Sequence, residues 1–239
     1  MAVLVATLFT AWTPAGLIPG GLEQFQIITP GHADSPAATV KVTQPASPRI
    51  GLIAGHWSTK SEYYDPGAVC SEALGGTKEV DVNYDVAART QQMLEAQGYD
   101  VEILEEWDDQ LSLYRGMALV SIHTDSCDYI NESAKGFKVA PSSANTISER
   151  LAACLIDRYA RITQMPLHPG ITPDMTSYHV FAEIHNETPA AIIEIGFLNG
   201  DHEILTTDPG RIASGIANGI LCLVRNEAIT PPATQTPKP

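Results

Sequence analysis

Short apolar runs alternate with longer segments of helical period through the middle of the chain. Residues 50–56, 99–104, 118–122 and 190–197 read as buried strands, with 136–140 a further short one. Residues 79–97 repeat Val82, Val86, Met93 and Leu94 at helical spacing and stop before Gly98. Residues 143–162 place Leu151, Cys154, Leu155, Arg158, Tyr159 and Ile162 on one face. A last helix opens at Asp208-Pro209, a cap residue followed by proline at the first helical position, and continues through Ile212, Ile216, Ile220 and Leu223. Strand and helix signals in alternation predict a layered α/β domain.

Outside that region the texture changes. Residues 1–22 carry no charge, Glu23 being the first, and read as a hydrophobic signal or anchor-like segment. No Lys or Arg precedes it, however, and Pro14, Gly16, Pro19, Gly20 and Gly21 interrupt any spanning helix. Residues 23–48 form a Pro/Ala/Ser-containing linker, 49–225 the folded domain, and 226–239 a Pro/Thr tail without core-forming capacity. The expected location is extracytoplasmic, with the N-terminal segment serving export or a membrane tether. Within the domain, residues 58–78 make a loop long enough to suggest function.

Charge narrows the partners. With 28 acidic against 14 basic residues in 239, the formal net charge is −14, and no basic run exists. Nucleic acid is not expected, because phosphate contacts require clustered Lys and Arg. Cys70, Cys127, Cys154 and Cys222 have no zinc-site spacing. Cys154 and Cys222 fall on apolar helix faces, where buried free thiols are expected. Cys70 and Cys127 lie in loops just beyond two strand ends, so a disulfide between them stays open for an oxidising compartment.

The candidate chemistry rests on residues far apart in sequence. His56 and His123 close apolar runs, Glu79 opens a helix on its inward stripe, and Glu194 interrupts the apolar run 190–197. Each alone has a plain structural reading: a strand-end histidine, a helix-start charge. Glu194 is harder to dismiss, since an ionised carboxylate in a buried strand costs several kcal/mol unless paired. Together, two imidazoles and a carboxylate make the ligand set of a catalytic zinc, and the remaining carboxylate is the proton carrier its chemistry needs.

Read together, these segments resemble the zinc-dependent N-acetylmuramoyl-L-alanine amidases of the Amidase_3 type. The motifs are Gly55-His56, Asp65-Pro66-Gly67-Ala68, Glu79 through Asn83, Ser121-Ile122-His123, and Glu194-Ile-Gly-Phe-Leu-Asn199, spread over roughly residues 49–225. The resemblance implies a single three-layer domain with a mixed central sheet and helices on both faces. It also implies one zinc held by His56, Glu79 and His123, and Glu194 as the catalytic carboxylate. The substrate it implies is peptidoglycan or a muropeptide, cut between the lactyl group of N-acetylmuramic acid and L-alanine, by a monomer.

Departures from the family pattern concern the surroundings of the metal. Trp57-Ser58 follows the first histidine where the family has two glycines, Thr124-Asp125-Ser126-Cys127 follows the last ligand, and Glu105-Glu106-Trp107-Asp108-Asp109 replaces a Thr-Arg signature. These changes predict a cleft lined by acids and two tryptophans. His168, His179, His185 and His202 are expected at the surface, His179 and His185 being the two placed to orient substrate. The alternatives are a related zinc peptidase or carboxypeptidase, which needs an arginine for the substrate carboxylate and has only Arg115 to offer, and a non-catalytic wall-binding homologue.

Overall fold

The apolar runs form a five-stranded sheet, in the order β2-β1-β3-β5-β4. The strands are β1 (Arg49–Ala54), β2 (Asp100–Leu104), β3 (Ala118–Asp125), β4 (Lys138–Pro141) and β5 (Ala190–Phe197). This computed structural model describes residues 49–229, so the expectations for residues 1–48 and for the tail beyond 229 lie outside the described residues. Neighbouring pairs among β2, β1, β3 and β5 are parallel, and β4 joins β5 antiparallel at the edge. The sheet is therefore mixed, as expected.

Alternation along each strand divides the core. Ile50, Leu52 and Ala54, with Val120, Ile122, Ala191 and Ile193, face one side. There they meet α1 (Glu79–Glu95), α2 (Thr146–Thr163) and α6 (Pro209–Val224). The opposite positions, Ile53, Leu119, Ala190 and Ile192, pack under a thinner cover. Its parts include the short helices α3 (Pro173–Thr176) and α4 (Val180–Glu183), with Leu111 and Tyr114 from the loop after β2. A further short helix, α5 (His202–Thr207), leads into α6.

The path from β1 through α1 to β2 moves one way along the sheet, and the path from β3 to β5 moves the other. Parallel α/β sheets open a crevice beyond the strand carboxyl ends at such a reversal, here between β1 and β3.

Two features depart from the sequence reading. Cys154 and Cys222 are not free thiols but a disulfide, with Cα atoms 5.7 Å apart. The reason is the close approach of α2 and α6. A Cβ at Gly219 would stand 2.8 Å from the Leu155 Cα, and one at Gly215 2.8 Å from the Tyr159 ring, so glycine lets these backbones come together. A second disulfide joins Cys70 to Cys127 and ties the loop after β1 to the loop after β3. The other departure is past residue 225. Arg150 and Arg158 donate to the carbonyls of Glu227 and Ala228, and Ile229 packs against the core.

Replacing Cys154 and Cys222 by Ala is expected to lower the unfolding free energy by about 2–5 kcal/mol, read as a lower denaturant midpoint. An unchanged midpoint would mean that the two thiols are not paired in solution.

Candidate active site

β1 ends at Ala54, and the chain turns at once, the Trp57 N–H donating to the Ala54 carbonyl. His56 stands in this turn at φ 64°, a left-handed conformation that a non-glycine residue rarely holds without a local reason. Its backbone N–H donates to Glu106 Oε2 at 2.7 Å, and its Nδ1 lies 2.9 Å from Asp65 Oδ2. The imidazole Nε2 points at Glu79, 3.4 Å from Oε1.

Glu79 begins α1 and is 6% exposed. Its carboxylate accepts from the Ala68 N–H at 2.9 Å, the Thr124 N–H at 3.0 Å and Asn83 Nδ2 at 3.3 Å. His123, in β3 and 7% exposed, presents Nδ1 3.4 Å from the same Glu79 Oε1. Its ring lies flat against the chain at Gly55, where any Cβ would come within 2.4 Å of it, so only glycine fits. One donor atom each from His56, Glu79 and His123 lies within 4.8 Å of the others.

Glu194 is the register partner of His123 across β3 and β5, and the pairing shifts between His123 and Asp125. Such an irregularity re-aims side chains at a strand end. Three buried polar atoms here lack a hydrogen-bond partner among the described residues, His123 Nε2, His179 Nε2 and Glu194 Oε2. A donor set of two imidazoles and a carboxylate beside orphaned polar atoms fits zinc. The structure thus brings all four sequence-predicted residues around one cleft of about 470 Å³.

Further side chains complete this cleft, among them Glu106 from the acidic segment that the sequence places along it. Glu106, 8% exposed, accepts from the Tyr178 hydroxyl at 3.2 Å and lies 3.6 Å from His123 Nε2 and 3.8 Å from His179 Nε2. Tyr178 in turn accepts from Ser121 Oγ at 2.9 Å. His179 is not a surface histidine: it lines the cleft, bonded through Nδ1 to Glu183 at 2.7 Å. Tyr178, which the sequence reading missed, belongs to a stretch without strand or helix period, and only its place beside His179 could have marked it. His168, His185 and His202 make contacts elsewhere, with Phe197, Arg115 and Thr77. Of the two expected tryptophans, Trp107 reaches His179, whereas Trp57 packs on Tyr84 away from the cleft.

The charges are strongly coupled. Burial alone would raise the Glu79 carboxyl, but hydrogen bonds and charge from His123 and His56 outweigh it and hold it well below the usual range. Burial disfavours protonated His56, yet Glu79 and Asp65 carry its pKa up to about 9. The same competition, led by burial and reversed by Glu79, Glu194 and Glu106, raises His123. Glu194 is lifted to about 7, first by burial and then by Glu79 and Asp125, against His123 and Lys138.

The metal-free protein should show the linkage directly. His56, raised in the fold, adds stability that is complete below its ordinary 6.5 and lost as pH rises through about 9. Glu79, depressed, adds stability present above 4.5 and lost as pH falls toward its folded value. Melting of chelated protein is thus expected to peak near pH 5–6 and to decline on both sides. A flat profile from pH 6 to 10 would remove the His56–Glu79 pair from the account.

The model of the N-acetylmuramoyl-L-alanine amidase family matches residues 50–222. The chain belongs to that family. As an amidase it acts on peptidoglycan, hydrolysing the amide between the lactyl group of N-acetylmuramic acid and L-alanine of the stem peptide. The family is zinc-dependent, in keeping with the donor set above.

Solved structures agree on the fold. The CwlD amidase from Clostridioides difficile, solved in complex with the GerS lipoprotein, is 21% identical with a TM-score of 0.60. That match covers 76% of this chain and 100% of the other. The amidase AmiC2 of Nostoc punctiforme is 21% identical, TM-score 0.57, over 74% and 97%. Ami1 from Mycobacterium smegmatis is 19% identical, TM-score 0.57, over 75% and 97%. The search of curated proteins gave no match.

The amidase cleft also bears on the carboxypeptidase alternative. None of the residues lining it is Lys or Arg, and Arg115 pairs with Glu187 at 2.9 Å on the exposed surface. A free substrate carboxylate would find no lysine or arginine among the residues described there.

Proposed function

We propose that His56, Glu79 and His123 hold one zinc ion per chain and that Glu194 moves the proton in amide hydrolysis. The observation that carries this reading is the convergence of the three donor atoms beside the unpartnered Glu194 Oε2. Zinc bound there would supply Lewis acidity, lowering the pKa of water and polarising the amide carbonyl.

The remaining work belongs to side chains. Asp65 accepts from His56 Nδ1–H, which leaves Nε2 unprotonated toward the donor cluster. Glu106 faces His123 Nε2 at 3.6 Å, too long for a hydrogen bond, while Nδ1 turns to the cluster. The bonds from Ala68 and Thr124 fix the Glu79 carboxylate. Glu194, kept basic by burial, takes the proton of the attacking water and returns it to the leaving nitrogen.

Metal analysis and digestion test this together. Purified protein should carry one zinc, chelation should stop release of stem peptides bearing a free L-alanine amino group, and added zinc should restore it. Undiminished release from metal-free protein, or zinc held elsewhere, overturns the assignment.

We further propose that the enzyme works outside the cytoplasm. Its substrate lies there, and two disulfides among the described residues suit an oxidising compartment. No described helix is long and apolar enough to cross a membrane. Residues 1–48 would then serve export or tethering only. A chain begun near residue 47 is expected to fold, bind zinc and cleave peptidoglycan like the full chain. Insoluble or inactive truncated protein beside active full chain would make the N-terminal segment part of the fold.

A further inference from the structure

Next to the catalytic cleft, on the side where β2 ends, lies a second recess of about 290 Å³ lined by Tyr63, Trp107, Asp108, Asp109, Ser112 and Glu183. We propose that this recess is a saccharide subsite that takes the glycan strand adjoining the amide to be cut. The proposal rests on the amidase reading and adds a site to it.

Trp107 carries the argument. One face of its indole is stacked on His179, with centroids 3.9 Å apart and planes 3° from parallel. His179 lines the catalytic cleft and Trp107 the recess, so the stacked pair stands between the two cavities. Glu183 braces that pair, its Oε1 2.7 Å from His179 Nδ1. The indole is thus held in a fixed plane, yet Trp107 remains 54% exposed. Large aromatic side chains ordinarily bury most of their area, and a rigid, exposed one beside an active site offers a preformed binding face. Tyr63, 48% exposed, adds a second aromatic surface to the same recess, with Lys60 Nζ 5.6 Å from its ring centroid.

The polar rim selects the class of ligand. A pyranose has C–H faces that suit the electron-rich face of an aromatic ring, and hydroxyls that donate to carboxylates. Asp108, Asp109 and Glu183 supply those carboxylates, and Ser112 supplies a hydroxyl. Three acids repel an anion, which disfavours the carboxylates of a stem peptide at this place. The glycan strand is different. Where stem peptides are attached, the muramic lactyl carboxyl is tied up as an amide and the sugar chain is uncharged. With only the Trp107–His179 pair between recess and cleft, sugars resting on Trp107 would leave the lactyl amide to reach the donor cluster.

Binding without turnover tests the subsite separately from the chemistry. Chitotetraose, a peptide-free neutral glycan, would be titrated into Glu194→Gln protein, followed by calorimetry and by tryptophan fluorescence. Saturable binding is expected, weakened about tenfold or more by Trp107→Ala and less by Trp107→Phe, which keeps a ring on His179. Tyr63→Ala should weaken it independently, and this variant removes only an exposed side chain should Trp107→Ala fail to fold. Chitotetraose that does not bind, or that binds equally well to the Trp107 and Tyr63 variants, overturns the proposal. In turnover, the otherwise unaltered enzyme should show KM falling as the glycan of a muramyl peptide substrate is lengthened, and Trp107→Phe should flatten that dependence. Cleavage of muramyl dipeptide with no glycan-length effect would sink the subsite and leave the amidase reading standing. Absence of any muramyl amide cleavage, with chitotetraose still bound through Trp107, would do the reverse.

Discussion

Replacing Glu194 by Gln should lower turnover of a muramyl peptide by about a hundred- to ten-thousand-fold while fold and zinc content persist. The substitution keeps the size and one acceptor of the side chain but cannot carry a proton. It should be structurally mild, because burial already lifts the Glu194 pKa to about 7 and its Oε2 has no partner to lose. Glu194 is also not among the three converging donors, so metal binding should survive. The decisive comparison is kcat with zinc stoichiometry measured on the same sample. Turnover near the unsubstituted level in a zinc-loaded variant would take Glu194 out of the mechanism.

His123→Ala should have the opposite signature, loss of zinc first and of activity as a consequence. It removes one of three donors, and two remaining groups hold a divalent cation poorly. Removing a group that merely orients a ligand costs about 10–100-fold in affinity, so a ligand itself should cost more than about 100-fold. The substitution also strips a partner from the buried Glu79 carboxylate, so part of the stability that His123 lends to Glu79 should vanish with it. Competition against a chromophoric chelator reads the affinity, and a melt of the chelated proteins separates the two effects. Full zinc stoichiometry at unchanged affinity would show that His123 is not a ligand.

Both substitutions were chosen from residues legible in the sequence. A buried strand announces itself by an apolar run, and a polar residue inside one stands out because its desolvation must be offset by something. That is why Glu194 within residues 190–197 and His123 at the end of 118–122 stand out in the sequence alone. Glu79 was legible for a related reason, lying on the inward stripe of its own helix. Motif order then joined them. The long helices were equally readable, since α1, α2 and α6 each repeat an apolar face over four turns or so.

The misses have physical causes of their own. The sequence points to free thiols at Cys154 and Cys222 because each sits on an apolar face, which is where a buried thiol or half of a disulfide would equally sit. Only the approach of α2 to α6 across Gly215 and Gly219 distinguishes the two. The sequence placed Glu106 among the acids of residues 105–109 along the cleft, without distinguishing it from its neighbours. Its burial depends on the His56 N–H, Tyr178 and His123 converging on it from other segments, and no local pattern encodes that meeting. Trp57 and Trp107 looked alike in sequence, and the turn at His56 sends one of them to Tyr84 while β2 leads the other to His179.

By itself, then, the sequence determined the α/β class and the helix and strand periods, and it singled out the four residues proposed to carry the chemistry. Periodicity and desolvation act within a few residues of chain, and motif order is read along it. The tertiary structure alone decided which nitrogen of each histidine faces Glu79, which carboxylates brace them, which cysteines pair, and that Trp107 is held exposed against the cleft wall. Those are mostly contacts between residues distant in sequence, and they exist only once the β1–β3 pairing, the α2–α6 packing and the loops around them have closed.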